Sequence, residues 1–97
     1  MNLSDLWFAI ERDLTQAREM LRNATAGNEA IERYHEFIEH NELELACDAL
    51  ESYANENPVP VAFWIALRDA ATKMNLPDNA ARFEKRLSDA DLSKAPQ

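Results

Sequence analysis

EAIERYHEFIEHNELELACDALESYANE, residues 29 to 56, is the stretch that decides the fold. It holds nine acidic residues and one basic residue, Arg33, so its formal charge of −8 equals that of the whole 97-residue chain. Apolar residues recur at helical spacing on both sides of Asn41. They are Ile31, Tyr34, Phe37 and Ile38 before it, and Leu43, Ala46, Cys47, Leu50 and Ala54 after it. We predict one helix from about residue 28 to 40, and a second one that Asn41 caps at its N-terminus together with Glu44.

Acidic residues in this stretch follow the same helical spacing. Glu29, Glu32, Glu36 and Glu39 fall within an arc of about 80° on the first helix. Glu44, Asp48 and Glu51 form a second stripe on the next helix. Two interpretations are open: the stripes are a solvated face that keeps an acidic protein soluble, or they are a docking surface for a basic partner.

The remaining sequence predicts three more helices. One runs from about residue 4 to 24, before the only glycine, Gly27. Another begins near Pro60, after Asn57-Pro58 has ended the preceding helix. The last runs from about residue 78 to 87, after Asn75-Leu-Pro-Asp. The predicted fold is an all-α, five-helix irregular (orthogonal) bundle, with a single domain over residues 1–87 and a polar, flexible tail over residues 88–97. We place Leu6, Trp7, Ile10, Leu14, Phe37, Leu50, Phe63, Leu67 and Phe83 in its core.

Composition excludes several classes of function. Direct nucleic-acid binding needs Lys and Arg to neutralise phosphate, and an acidic chain is also repelled by an anionic membrane surface. No long apolar run spans a membrane and no secretory leader is present, so we expect a cytoplasmic protein. The single cysteine, Cys47, lies on a predicted apolar face, where a buried small hydrophobe is the expected role.

Catalytic and metal-binding patterns are weak. Glu32 and His35 have the E-x-x-H spacing of a metal ligand pair, but a second such pair is missing and His40 lies on another side of the helix. A row of glutamates on a polar face does not push carboxyl pKa values apart as acid–base catalysis requires. We therefore predict no enzyme, no metal and no cofactor. Phe8 lies off the apolar stripe of its helix, and Trp64 at the margin of its own, so both are candidates for exposed anchors.

Two phrases resemble a known family. They are His40-Asn-Glu-Leu-Glu-Leu-Ala-Cys-Asp-Ala-Leu and Phe63-Trp64 followed by Ala70-Ala71-Thr-Lys-Met-Asn-Leu-Pro. The chain is similar, over roughly residues 34 to 87, to the small all-helical immunity proteins of bacterial contact-dependent inhibition and related polymorphic toxin systems. Cys47 and Asp48 depart from the Leu- and Glu-rich phrase of that family. The resemblance implies inhibition of a co-encoded toxin, usually a nuclease.

The leading functional hypothesis is therefore an immunity protein that neutralises a basic nuclease toxin through its acidic helical face. The predicted partner-binding residues are Glu32, Glu36, Glu39, Glu42, Glu44, Asp48 and Glu51. The alternative is a helical adaptor or regulatory subunit that binds a protein through apolar residues such as Phe8 and Trp64, with the acidic face serving solubility. The sequence carries no signal for oligomeric state.

Overall fold

Five α-helices and no strand form the described part of the chain, which is residues 3–21 and 27–94 of the computed structural model. They are α1 (Leu3–Glu19), α2 (Glu29–Glu39), α3 (Leu43–Glu56), α4 (Val61–Lys73) and α5 (Pro77–Lys94). This confirms the predicted all-α, five-helix bundle. None of these helices is both long and apolar enough to cross a bilayer.

The core joins all five helices, because each contributes at least one fully buried side chain. α4 packs most extensively against α1 and α5 and less so against α3, while α2 packs against α3. The largest fully buried side chains are Phe63, Phe83, Leu14, Ile31, Leu50, Leu67 and Cys47. α2 is thus held to the bundle mainly through α3, and its far side remains open to solvent.

Most of the predicted core is confirmed, but the prediction that Trp7 is buried is wrong. Those buried as predicted are Ile10, Leu14, Leu50, Phe63, Leu67 and Phe83, and Leu6 and Phe37 pack partly buried against them. Trp7 is 50% exposed. Its position in the helix lies roughly 60° from Ile10, at the margin of the buried stripe, and burial is incomplete there.

Trp64 is buried, so its prediction as an exposed anchor is also wrong. Only 6% of the residue is exposed. Its ring meets Phe63 edge-on at 5.3 Å between centroids and lies 5.9 Å from Phe83 of α5. The Arg86 guanidinium, also from α5, lies 4.8 Å from the centre of the same ring. Because α4 is covered by both α1 and α5, its buried arc is wider than its own apolar stripe indicates.

Two helix ends differ from the prediction. α1 ends at Glu19, where the Met20 and Leu21 N–H groups bond to carbonyls three residues back and tighten the last turn. The rest of its predicted extension, residues 22–24, lies outside the described residues. α5 continues to Lys94, so residues 88–94 are helical rather than a loose tail. Neither Gly nor Pro interrupts residues 78–94. Residues 95–97 of the predicted tail lie outside the described residues.

Asparagine ends two helices in the left-handed conformation, and Asn41 is therefore not the N-cap of α3. Asn41 has φ 57° and follows α2, whereas Glu42 precedes α3 and makes no side-chain cap. The Glu42 N–H bonds to the Phe37 carbonyl at 2.9 Å and the Asn41 N–H to that of Ile38 at 3.1 Å. This is the Schellman pattern, which satisfies carbonyls at a helix end.

The same motif closes α4. Asn75 has φ 59°, its N–H bonds to the Thr72 carbonyl at 3.1 Å, and the Leu76 N–H bonds to the Ala71 carbonyl at 2.9 Å. Pro77 then begins α5 as its first residue. Both sharp reversals, α2 to α3 and α4 to α5, therefore depend on one asparagine each.

We expect Asn75→Ala to destabilise the protein by about 1 kcal/mol, because a β-carbon clashes in the left-handed region and alanine has no side-chain amide to compensate. Asn75→Gly should keep or slightly raise stability, since glycine adopts this conformation freely. Urea unfolding followed by circular dichroism measures both. Equal stability of the two variants would contradict this role of Asn75.

Candidate protein-binding surface

The four glutamates of the first acidic stripe lie on the solvent side of α2. Glu29, Glu32, Glu36 and Glu39 are all exposed, and Ile31 and Tyr34 are buried on the other side of the same helix. The four positions extend over about 15 Å of helix axis at 1.5 Å per residue. Arg33 lies 3.7 Å from Glu29, in a pair so exposed that it contributes little to stability. The stripe is therefore displayed to solvent as predicted.

Glu42 lies in the reversal after α2 and Glu44 in the first turn of α3, and both are exposed. We name the six residues Glu29, Glu32, Glu36, Glu39, Glu42 and Glu44 the α2 acidic face. His40 lies within it, with Nδ1 2.9 Å from the Glu36 carbonyl oxygen. This hydrogen bond, and then the carboxylates of Glu42, Glu36 and Glu39, raise the pKa of His40. Protonated His40 thus stabilises this helix end at acidic pH, and the contribution is lost as pH rises through the raised pKa.

The second stripe is partly engaged in contacts within the protein, because α5 runs parallel to α3 beside it. Three polar contacts join the helices, each between residues 31 apart in the sequence. The Asn79 amide donates to Asp48 at 3.4 Å, and Arg82 donates to both oxygens of Glu51 at 3.0 and 2.9 Å. Arg86 donates to the Asn55 side-chain oxygen.

Glu51 is therefore engaged inside the protein. Its side chain is 14% exposed and both carboxylate oxygens accept from Arg82, so it is removed from the set of residues displayed to a partner. Asn79, Arg82 and Arg86 were not predicted to matter. A signal did exist: positions 79, 82 and 86 repeat the spacing of 48, 51 and 55, and this register brings polar groups together once the helices lie parallel.

Asp48 lies between the two other carboxylates of the second stripe. Partial burial raises its pKa, and repulsion by Glu44 and Glu51 raises it further, against the opposing influence of Arg82 and Asn79. Glu44 lies one helical turn before Asp48, at the spacing where like charges destabilise a helix. Ionised Asp48 therefore costs folding free energy.

We expect Asp48→Asn to raise stability at pH 7 by about 0.5 kcal/mol, the size of a like-charge pair on a helix. A carboxyl group whose folded pKa is raised destabilises the fold only when ionised. The advantage should therefore vanish below the ordinary aspartate pKa of about 4 and develop as pH rises from there through the raised value. Urea unfolding at pH 3 and pH 7 measures it. Asp89→Asn, beside Lys85 and Arg86, is the control and should not stabilise.

Cys47 is inert in this arrangement. The residue is fully buried, and burial, with the nearby carboxylates of Asp48 and Glu51, raises the thiol pKa to about 12. The thiol stays protonated at neutral pH, so it is not a nucleophile there. Its predicted role as a small buried hydrophobe is confirmed.

Glu32 and His35 are both exposed on α2. Within the part of the chain that the structure describes, no three His, Cys, Asp or Glu side chains are grouped as metal ligands would be.

No known protein family, curated protein or solved structure matches this chain. Function must therefore be inferred from the surface.

A separate apolar surface lies on α1. Phe8 is 71% exposed and its neighbour Trp7 is 50% exposed. Phe8 borders a shallow depression of about 380 Å³ together with polar residues of α1, among them Glu11, Arg12 and Thr15. Of the two aromatic residues considered as candidates for exposed anchors, Phe8 is exposed and Trp64 is not.

Proposed function

We propose that this protein binds a basic protein partner through the α2 acidic face. The observation that carries the proposal is the exposure of six carboxylates over α2, the adjoining turn and the start of α3. The four in α2 lie opposite the buried Ile31 and Tyr34. A concentrated single-sign field costs stability through self-repulsion and speeds association with an oppositely charged partner. Solubility alone does not require that the whole excess charge lie in one part of the chain.

The family resemblance gives the partner its identity within this proposal. On that basis the protein is a cytoplasmic immunity protein, and the partner is a co-encoded nuclease toxin. A nuclease has a basic groove that binds the phosphate backbone, and a row of carboxylates on one helix presents charges of the same sign to that groove. Complementary potentials then favour fast association and exclude acidic partners.

The exposure of each side chain supports a narrower set of proposed contact residues. Glu32, Glu36, Glu39, Glu42 and Glu44 remain exposed, and Glu29 joins them at the start of α2. Glu51 is paired with Arg82, whereas Asp48 is exposed and accepts a long bond from Asn79. Of the seven predicted contact residues, Glu51 is therefore the one that we leave out of the proposed contact surface.

Salt dependence tests this proposal. The probe is the C-terminal domain encoded by the gene immediately upstream, which this proposal requires to be basic. Its association rate with this protein is measured by stopped-flow mixing at 50 and 500 mM NaCl. Because exposed charges are screened within about 10 Å at 0.1 M salt, we expect the association rate to fall at least tenfold at the higher concentration. Salt-independent binding would contradict an electrostatic docking surface.

The second candidate is an adaptor that binds through apolar surface, and the exposure of Trp7 and Phe8 favours it. Two adjacent exposed aromatic side chains could supply a large anchor at an interface. This function predicts that Phe8→Ala weakens partner binding at either salt concentration. The electrostatic proposal predicts that Phe8→Ala leaves the salt dependence unchanged.

A further inference from the structure

A cleft of about 200 Å³ opens between α2 and α3, next to the α2 acidic face. Residues of both helices line it: Arg33, Phe37, Leu45, Asp48, Ala49 and Ser52. Its surface is mainly apolar, and the apolar part comes from Phe37, Leu45 and Ala49. Phe37 is half-buried, Ala49 is buried and Leu45 is 42% exposed. The cleft has room for one large side chain, and an exposed leucine beside it adds apolar surface for that side chain to cover.

Charge at this cleft favours a cation. Asp48 is part of its lining, and its carboxylate accepts a long bond, 3.4 Å, from the neutral amide of Asn79. The nearby guanidinium of Arg82 is held by both oxygens of Glu51, so it reaches Asp48 only through space. Glu44 and Glu51 are two further carboxylates close enough to act electrostatically on Asp48, and Arg82 opposes them. Arg33, the basic residue of the lining, lies 3.7 Å from Glu29.

We infer that this cleft binds a lysine or arginine side chain of the basic protein partner, with the alkyl stem against Phe37 and Leu45 and the cationic head on Asp48. Lysine and arginine have this combination of an apolar stem and a charged end. The inference deepens the proposed function and rests on it. The α2 acidic face provides long-range attraction, and the cleft provides a pocket in which one partner side chain would lose water and act as an anchor.

Binding of a partner cation would explain why a carboxylate stands at position 48, where it does not stabilise the fold. Asp48 costs folding free energy where it stands, since burial and two neighbouring carboxylates oppose its ionisation. A partner cation would lower that cost on binding, because it would offset the repulsion from Glu44 and Glu51.

The test uses small probes and the whole ¹⁵N-labelled protein. N-acetyl-arginine amide and N-acetyl-lysine amide are titrated at millimolar concentration, with N-acetyl-norleucine amide as a neutral probe of similar stem. We expect the two cationic probes to shift the backbone amide signals of Phe37, Leu45 and Ala49, and norleucine to leave them in place. Equal shifts with norleucine, or shifts confined to the exposed glutamates of α2, would overturn the inference.

Two variants locate the binding. Asp48→Asn removes the negative charge and should weaken binding of the cationic probes at least fivefold. Ser52→Leu should fill the cleft and abolish their binding. Asp89→Asn and Ile65→Ala, both at exposed positions away from the cleft, are controls that should bind as the parent does. The amide spectrum of each variant reports that it is folded. If both variants are folded and bind the probes as the parent does, the cleft is not the binding site.

The same variants separate this inference from the proposed function. With the basic domain as partner, Asp48→Asn and Ser52→Leu should each weaken binding while its salt dependence remains. If salt dependence is strong but both variants bind the basic domain as the parent does, docking through the α2 acidic face is supported and the anchor site in the cleft is contradicted. If the cationic probes bind in the cleft but the basic domain binds without salt dependence, the proposed function is wrong.

Discussion

Reversing Glu32, Glu36 and Glu39 to lysine together should weaken binding to a basic partner at least 100-fold, about 3 kcal/mol. The three changes take the net charge of the chain from −8 to −2 and replace attraction at the interface by repulsion. Like charges placed against each other across an interface cost several kcal/mol, and the steering of association is lost as well.

The fold should survive this change, because all three side chains are exposed and lie opposite Ile31 and Tyr34. Lysine near the end of α2 is also favourable for the helix dipole. Isothermal titration calorimetry with the basic domain measures the affinity, and circular dichroism reports the fold.

A matched control distinguishes the effect of where the charges lie from the effect of the net charge of the chain. Glu19, Glu56 and Asp89 are exposed acidic residues outside the α2 acidic face, and their reversal to lysine gives the same net charge of −2. This control should lose much less affinity, through weaker long-range attraction only. If both triple variants lose affinity equally, net charge rather than the α2 acidic face determines binding. Full affinity in the α2 variant would exclude that face as the docking surface.

Replacing Lys73 by methionine should destabilise the protein by about 2–3 kcal/mol. Lys73 at the end of α4 donates to Asp13 of α1 at 2.5 Å, and the Asp13 side chain is only 9% exposed. Removing one member of a buried ion pair leaves an uncompensated charge, which costs 3–5 kcal/mol when both are buried. We expect a smaller value because Lys73 is one-third exposed.

The companion variant removes both charges. Asp13→Asn with Lys73→Met should regain most of the lost stability, since a neutral amide at position 13 costs far less to bury than a carboxylate. Urea unfolding of the two single variants and the double variant gives their coupling energy. A coupling near zero would show that the loss at Lys73 comes from the helix dipole or from packing rather than from Asp13.

The α2 acidic face could be predicted from sequence because it depends on one helix alone. The positions of Glu32 and Glu36 relative to Ile31 and Tyr34 follow from the helical period, and the structure keeps that relation. The core positions of α4 and α5, such as Phe63 and Phe83, followed in the same way. Asn41 was misassigned because an asparagine between two helices suits either an N-cap or a left-handed C-terminal position.

The α3–α5 contacts could not be predicted in this way. Glu44 and Glu51 belong to the same stripe by spacing, yet one is exposed and the other bonds to Arg82. The difference depends on a helix 31 residues further along the chain. Trp64 was misjudged for the same reason, since Phe83 and Arg86 of α5 cover it.

By itself, the sequence determined that the described part of the chain forms five helices. It also determined that the whole excess negative charge lies in residues 29 to 56. These are properties of neighbouring residues, set by backbone preference and helical period. Only the tertiary structure decided that Glu51 of the second stripe bonds to Arg82, while the glutamates of α2 stay exposed. The side chains that share a helix face follow from local geometry, but whether that face meets solvent or another helix depends on residues far away in the chain.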